Sequence, residues 1–313
     1  MVTQPTVLVV GAGGSQDYGF PSGTELVRII VEGIRIDDQG REPNPSTELS
    51  RHLLDAGLRP RELNRFRDSL SRSQLYSVDA FLEQHAESVE VGKVAIAAVL
   101  GPIEDDRKLF FKGGWYRYLL NQLVSNLSAG AKQPLTIVTY NYDRSLEHYL
   151  YTALTETFGT GEDRMNEIRS NLSVIHVHGS LGALPWQTSE NLEGRRPYGE
   201  SIGGPTIKAA AANITIIHES QDGSPPYQQA RDRLAGAKRV CFLGFGYHRI
   251  NVRRLAVGSW KPSKDRDQVI GSAFNLTDAE KRQRLEYCEG GIKLGDTSWD
   301  CERFLREHVW AIS

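Results

Sequence analysis

The chain has 313 residues, 39% of them hydrophobic, which is enough for one large α/β domain or two smaller ones. Its 37 basic and 39 acidic residues nearly cancel, and this balance gives no strong signal for direct nucleic-acid binding. Three widely spaced cysteines without a CxxC pair, and apolar runs too short for a signal peptide or a membrane span, predict a soluble, cytoplasmic protein.

Six short segments rich in β-branched and apolar residues predict the strands of a buried parallel sheet. In chain order they are VLVV (7–10), TIVTY (136–140), LSVIHV (172–177), ITIIH (214–218), RVCFLGF (239–245) and the weaker QVIGSAF (268–274). Helical patterns separate most of them. The alternation predicts an α/β protein with a Rossmann-like, doubly wound parallel sheet of about six strands.

A large helical insertion is predicted after the first strand, because residues 24–128 show helical runs and no convincing strand. We therefore expect an α/β domain made of residues 1–23 and 129–313, and a helical insertion module made of residues 24–128. A long segment rich in glycine and proline, residues 180–206, predicts a lid or a binding loop.

The first strand runs directly into the glycine-rich turn GAGGS (11–15). Ligands of open α/β sheets bind at the carboxyl ends of the strands, so this turn predicts a phosphate site. The predicted donors are the backbone amides of Gly11, Ala12 and Gly13 and the hydroxyl of Ser15. Neither the dinucleotide fingerprint nor the P-loop pattern fits the turn, and a tight turn without a ligand is the alternative.

Polar residues and glycines follow the other predicted strands, and parallel strands bring their carboxyl ends to one edge of a sheet. We expect one cleft there, with an amide, a carboxylate and an imidazole facing the glycine turn. Asn141 and Asp143 could instead only cap the following helix, and His178 could be a core histidine. The predicted residues of this cleft, besides the turn, are Asn141, Asp143, His178, Gly244 and Gly246.

Several motifs in this order resemble the sirtuin-like (silent information regulator-like) domain of bacterial antiphage defence proteins. They are GAGGS with GFPSG, SVDAFLE, TYNYD, HVHGS, FLGFGYHRIN and VIGSAFNLTDAE. The resemblance spans the α/β part, about two thirds of the chain, and extends to the insertion mainly through SVDAFLE. The resemblance implies that NAD is the substrate and that no metal is needed. Sirtuin deacetylases carry a zinc ribbon of paired CxxC motifs, which this chain lacks, so NAD hydrolysis with water as acceptor is expected instead.

The resemblance implies roles for individual residues. Asn141 would position a water or a ribose hydroxyl, His178 would act as general base, and Asp143 would orient a neighbour or contact the nicotinamide side. The expected NAD-binding residues are Gly11, Ala12, Gly13, Ser15, Phe20, Thr139, Ser180, Gly244, Gly246 and Asn251.

The same resemblance implies that the protein is the gated effector of an antiphage system, acting as a homo-oligomer, with a HerA-type ATPase or an Argonaute-like protein as partner. Two other functions stay open. The chain could bind NAD or ADP-ribose as a catalytically silent sensor or scaffold subunit, or it could be a protein deacylase or an ADP-ribosyltransferase.

Overall fold

The structure is a computed structural model, and it describes residues 5–37, 44–128, 135–159, 161, 166, 173–187, 194–216, 224–257 and 268–308. In this part of the chain a six-stranded sheet has the order β5-β4-β1-β6-β7-β8, and every neighbouring pair is parallel. The predicted Rossmann-like α/β fold is confirmed. The strands of the sheet are β1 (Thr6–Val10), β4 (Leu135–Thr139), β5 (Ser173–His176), β6 (Arg239–Leu243), β7 (Gln268–Gly271) and β8 (Lys293–Leu294).

One predicted strand was wrong and one strand was not predicted. Residues 214–216 of the ITIIH segment form no strand of the sheet, and Ile214 makes only an isolated antiparallel bridge with Gly179. Ile214 and Ile216 are nevertheless buried in the core, so this apolar run reflects packing rather than strand pairing. The end of the segment, 217–218, lies outside the described residues. The sixth strand is β8, whose two residues are too few to leave a pattern in the sequence.

The insertion after β1 is helical, as predicted, and its described residues form seven α-helices. A small antiparallel hairpin, β2 (Ile36–Asp37) with β3 (Asn44–Pro45), was not predicted. The helices are α1 (Gly23–Gly33), α2 (Glu48–Asp55), α3 (Pro60–Ser73), α4 (Val78–Leu82), α5 (Val89–Leu100), α6 (Asp106–Lys112) and α7 (Gly114–Ser128).

The remaining described helices surround the sheet. They are α8 (Ser145–Phe158), α9 (Gly204–Ala212), α10 (Pro225–Ala235), α11 (Arg249–Arg254), α12 (Asp278–Tyr287) and α13 (Cys301–Glu307). No helix in the described ranges is long and apolar enough to cross a membrane.

Alternate side chains of the strands enter two different cores, as a parallel sheet buried on both faces requires. Leu8 and Val10 of β1 pack with helices of the insertion and with α8 and α13. Val7 and Val9 pack on the opposite face, against α10 and α11. The insertion therefore shares one continuous hydrophobic core with the sheet.

A buried ion cluster fixes part of the long loop that follows β5. The Glu104 carboxylate accepts two hydrogen bonds from the Arg144 guanidinium, at 2.8 and 2.6 Å, and lies 2.6 Å from Arg196 Nη2. The side chains of Glu104 and Arg144 are fully buried. The cluster joins three distant segments: the end of the insertion, the start of α8, and the loop.

Candidate functional site

A cavity of about 550 Å³ opens at the carboxyl edge of the sheet, where the turns after β1, β4, β5 and β6 meet. Strands on either side of β1 are reached by crossovers in opposite directions, so this is the place where an open α/β sheet forms a ligand crevice. The insertion contributes to the cavity lining through α4, and α11 and α12 contribute further residues. Of the predicted residues, those in the lining are Gly11, Ala12, Gly13, Asn141, His178, Gly244, Gly246 and Asn251.

The backbone amides of the glycine turn are mostly used inside the protein. The amides of Gly11 and Gly13 donate to carbonyls at the end of β6, at 3.0 Å each. Those of Gly14 and Ser15 donate within the turn itself, at 2.8 and 3.1 Å. Among the backbone amides of this turn, only that of Ala12 donates to no carbonyl of the described residues. The expected cradle of several amides around a phosphate is therefore absent, since an amide that already donates to a carbonyl is not free for an anion.

The glycines serve instead to pack two turns against each other. A Cβ at Gly11 would lie 2.7 Å from the Gly244 carbonyl oxygen, and one at Gly13 would lie 2.9 Å from Gly244 Cα. Gly244 has a φ of +56°, and a Cβ there would lie 2.0 Å from the Gly14 nitrogen. The glycines are therefore needed because the turn after β1 and the turn after β6 lie in close backbone contact.

Asn141 is held in a single orientation by the glycine turn. Its Nδ2 donates to the Gly11 carbonyl at 3.1 Å and to Ser15 Oγ at 2.9 Å. The carbonyl acceptor fixes which end of the amide is nitrogen, and the two bonds use both of its hydrogens. Oδ1 is left as the atom that can accept a hydrogen bond from a ligand hydroxyl or a water.

Ser15 and Asp143 are not in the cavity lining, so neither is placed to contact a ligand there directly. Both are buried, with 2% and 6% of their surface exposed. The other role expected for Asp143, orienting a neighbour, fits its hydrogen bond from Ser15. The Asp143 carboxylate accepts hydrogen bonds from the Ser145 amide at 3.1 Å and from the Ser145 hydroxyl. Burial raises the pKa of Asp143, and hydrogen bonds from Ser145 and Ser15 oppose that rise. Asp143 is thus both a support for Ser15 and a partner of the first turn of α8.

His178 lies in the cavity lining and is 4% exposed. Its Nε2 is 2.9 Å from the hydroxyl of Tyr227, a residue of α10 that sequence reasoning missed. Burial lowers the pKa of His178, and the negative charge of Asp79 opposes this shift only in part. A neutral imidazole near pH 7 is the form that can accept a proton.

Three other predicted residues do not line the cavity. Phe20 is buried in the hydrophobic core that the sheet shares with the insertion. Thr139 Oγ1 accepts a hydrogen bond from the backbone N–H of Asn141 at 3.1 Å and so stabilises the turn after β4. Ser180 Oγ donates to the Gly182 carbonyl at 3.3 Å within its own loop. Asn251 does line the cavity, and its buried Oδ1 has no hydrogen-bond partner among the described residues.

His176, at the end of β5, contacts the turn that carries Asn141 from outside the cavity. Its Nδ1 is 2.9 Å from the Asn141 carbonyl oxygen and its Nε2 is 2.8 Å from Glu147 Oε1. Burial alone lowers the pKa of His176, but the Glu147 carboxylate and the hydrogen bonds outweigh it and raise the pKa overall. The histidine connects β5, α8 and the turn that carries Asn141.

Charged residues that sequence reasoning missed form an acidic and a basic part of the cavity wall. The acidic wall consists of Asp79 and Glu83, at and just after α4 of the insertion. The basic wall consists of Arg249 and Arg284, on α11 and α12. Tyr142 donates a hydrogen bond from its hydroxyl to the Asp79 carboxylate. These residues come from elements far apart in the chain. Asp79 and Glu83 lie in the SVDAFLE motif and Arg249 lies in FLGFGYHRIN, but none of them was predicted as a site residue, and Arg284 lies in none of the quoted motifs.

No group of three or more His, Cys, Asp or Glu side chains in the described residues could hold a metal ion. No protein-family model matches the chain, and no curated protein is significantly similar to it in sequence. The likeness to sirtuin-like domains thus stays a prediction from motifs.

Proposed function

We propose that the protein is an NAD glycohydrolase, which cleaves NAD to nicotinamide and ADP-ribose. The observation that carries this proposal is the convergence of Asn141 and His178 on one cavity beside the β1 turn. An oriented amide oxygen and a neutral imidazole in the same cavity are the groups needed to position and deprotonate a water.

The charge distribution of the cavity supports NAD as the substrate. NAD carries a cationic nicotinamide ring at one end and an anionic diphosphate in its middle. The acidic wall of Asp79 and Glu83 suits the cationic ring, and the basic wall of Arg249 and Arg284 suits the diphosphate. We expect this charge distribution to favour one orientation of NAD, with the nicotinamide ribose beside Asn141 and His178.

In the proposed reaction the bond between nicotinamide and the ribose breaks, and nicotinamide leaves as a neutral molecule with the bonding electrons. Positive charge develops on the ribose, as in the cleavage of glycosides. Asn141 Oδ1 accepts a hydrogen bond from the attacking water, and His178 takes one of its protons as the oxygen bonds to the anomeric carbon. The leaving group is already cationic in the substrate, so no acid is required to expel it.

The test is incubation of the purified protein with NAD, with chromatographic detection of nicotinamide and ADP-ribose. We expect Asn141→Ala and His178→Ala to abolish product formation while the melting temperature shows a folded protein. Asn121→Ala and His52→Ala are matched controls outside the cavity and should retain activity. Because the effector is proposed to be gated, the assay is repeated with lysate from phage-infected cells. Intact NAD under all of these conditions would refute the proposal.

The proposed setting is bacterial antiphage defence in the cytoplasm, with a homo-oligomer that a HerA-type ATPase or an Argonaute-like partner activates. This part rests on the motif resemblance described above. It predicts that cells producing the protein lose NAD on phage infection, and that cells producing the Asn141→Ala protein do not.

A catalytically silent NAD or ADP-ribose sensor is the second candidate. The contact between His178 Nε2 and the Tyr227 hydroxyl favours it, because this contact engages the nitrogen that a general base would offer. Calorimetric binding of NAD without any release of nicotinamide would favour the sensor over the hydrolase.

A further inference from the structure

We propose that Arg249 and Arg284 form a diphosphate subsite in the cavity and anchor the nucleotide by its anionic centre. The inference deepens the proposed function, since it assigns to two residues the recognition of the diphosphate of NAD. It also applies to nucleotides that are not hydrolysed, such as ADP and ADP-ribose.

The first step of the argument is the lack of free donors in the glycine turn. Four backbone amides of the turn already donate hydrogen bonds to carbonyls of the protein, those of Gly11, Gly13, Gly14 and Ser15. A diphosphate in this cavity therefore finds little compensation for its charge in the turn. Its counter-charge has to come from side chains.

The second step is the state of the two arginines. Both line the cavity, and neither has a carboxylate within 4.0 Å among the described residues. Arg284 Nε is shielded from solvent and has no hydrogen-bond partner in the described part of the chain. Glu280, one turn earlier on α12, is occupied by capping Thr277, at 2.9 Å to its amide and 2.8 Å to its hydroxyl. A shielded N–H donor without an acceptor is costly, and a phosphate oxygen would satisfy Arg284 Nε. Arg249 is exposed at the cavity and can reach the same anion.

The third step is the position of Arg249 between two hollows. A second cavity of about 740 Å³ shares Arg249, Ile250 and Tyr287 with the first. A dinucleotide has a nucleoside on each side of its diphosphate, so the diphosphate belongs at the junction. The nicotinamide ribose would then lie in the first cavity beside Asn141, and the adenosine would extend toward the second.

The aromatic ring of Tyr287 strengthens this junction. Arg284 Cζ lies 5.7 Å from the centre of the Tyr287 ring, and the same ring lines both cavities. The ring orients the guanidinium and offers a flat apolar surface for a base or a ribose.

The experiment measures binding of ADP, ADP-ribose and adenosine by calorimetry, using the full-length protein and the variants Arg249→Gln, Arg284→Gln and the double variant. Each single change should weaken the binding of ADP and ADP-ribose by about tenfold, which is the usual loss in affinity for a charge-assisted hydrogen bond. The double change should weaken the binding of ADP and ADP-ribose further and leave the affinity for adenosine unchanged. Arg282→Gln, an exposed arginine of the same helix, is the matched control and should bind like the wild type.

Wild-type affinity of the double variant for ADP, or no ADP binding by the folded wild-type protein, would overturn the subsite. The outcome is separable from that of the proposed function. Arginine-dependent ADP binding without NAD cleavage keeps the subsite and refutes the hydrolase. NAD cleavage with an unchanged KM in the double variant keeps the hydrolase and refutes the subsite.

Discussion

At the scale of single residues, the proposed chemistry depends on how rigidly Asn141 is held. Both hydrogens of its amide are donated to the glycine turn, so the side chain cannot rotate without losing two bonds. Ser15 is the acceptor of one of these bonds, and its hydroxyl also bonds Asp143. Three buried polar groups thus form a chain that ends at the cavity.

Ser15→Ala should lower kcat by about tenfold and leave KM and ADP affinity unchanged, because the lost hydrogen bond orients Asn141 rather than the ligand. Stability should fall by about 1–2 kcal/mol, since the Asp143 carboxylate loses a buried partner. Steady-state kinetics and calorimetry with ADP check both parts, with Ser125→Ala on the exposed side of α7 as control. Weaker ADP binding in Ser15→Ala would instead place this hydroxyl on the phosphate, as the sequence first suggested.

At the scale of elements, β5 and α8 are joined through the pair formed by His176 and Glu147, which lie 2.8 Å apart. Glu147 is 2% exposed, so its charge needs this partner. The pKa of His176 is raised in the folded protein: burial opposes the charged form, but the carboxylate of Glu147 outweighs it. A raised histidine pKa gives stability that is fully present below the ordinary value of about 6.5 and is lost as the pH rises through the folded value.

We therefore expect the difference in melting temperature between the wild type and His176→Gln to be largest near pH 6 and to shrink by pH 9. Thermal melts of both proteins in matched buffers at the two pH values measure it. The same difference at both values would mean that the histidine is neutral in the folded protein and contributes only by packing.

The strands show what a local pattern can and cannot predict. The segments at β1, β4 and β6 were predictable because several apolar residues in a row mark a strand buried on both faces. The run at 214–218 has the same composition, yet its described residues enter the core beside a helix, and composition alone does not separate these two fates. Asn141 and His178 were predictable because each follows a strand; Tyr227 and Arg284 were not, because their place in the site depends on how helices pack.

At the scale of the whole molecule, the insertion is part of the site. Residues 24–128 share a core with the sheet, and α4 from this segment supplies the acidic wall. The expected boundary at residue 23 divides the sequence, but the residues on its two sides pack into the same hydrophobic core. The insertion thus completes a cavity whose other walls come from the α/β part.

Asp79→Asn should raise the KM for NAD by about three- to tenfold and leave ADP-ribose affinity unchanged, because only NAD brings a cationic ring to the acidic wall. The substitution preserves an acceptor for the Tyr142 hydroxyl, so the fold should persist. Kinetics with NAD and calorimetry with ADP-ribose measure the two effects, with Asp232→Asn, exposed on α10, as control. Equal losses for both ligands would show that Asp79 acts on the shape of the cavity and not on the ring.

The ion cluster of Glu104 with Arg144 and Arg196 has a consequence for the route by which a ligand enters. The sequence predicted that the loop spanning 180–206 is a lid or a binding loop, but its described residues do not line the cavity, and Arg196 holds it against a fully buried carboxylate. If this part of the loop swung outward, Glu104 would keep Arg144 but lose Arg196, and Arg144 would lose the Arg196 carbonyl to which it donates at 3.0 Å. We therefore expect the loop at Arg196 to stay in place when a ligand enters or leaves the cavity.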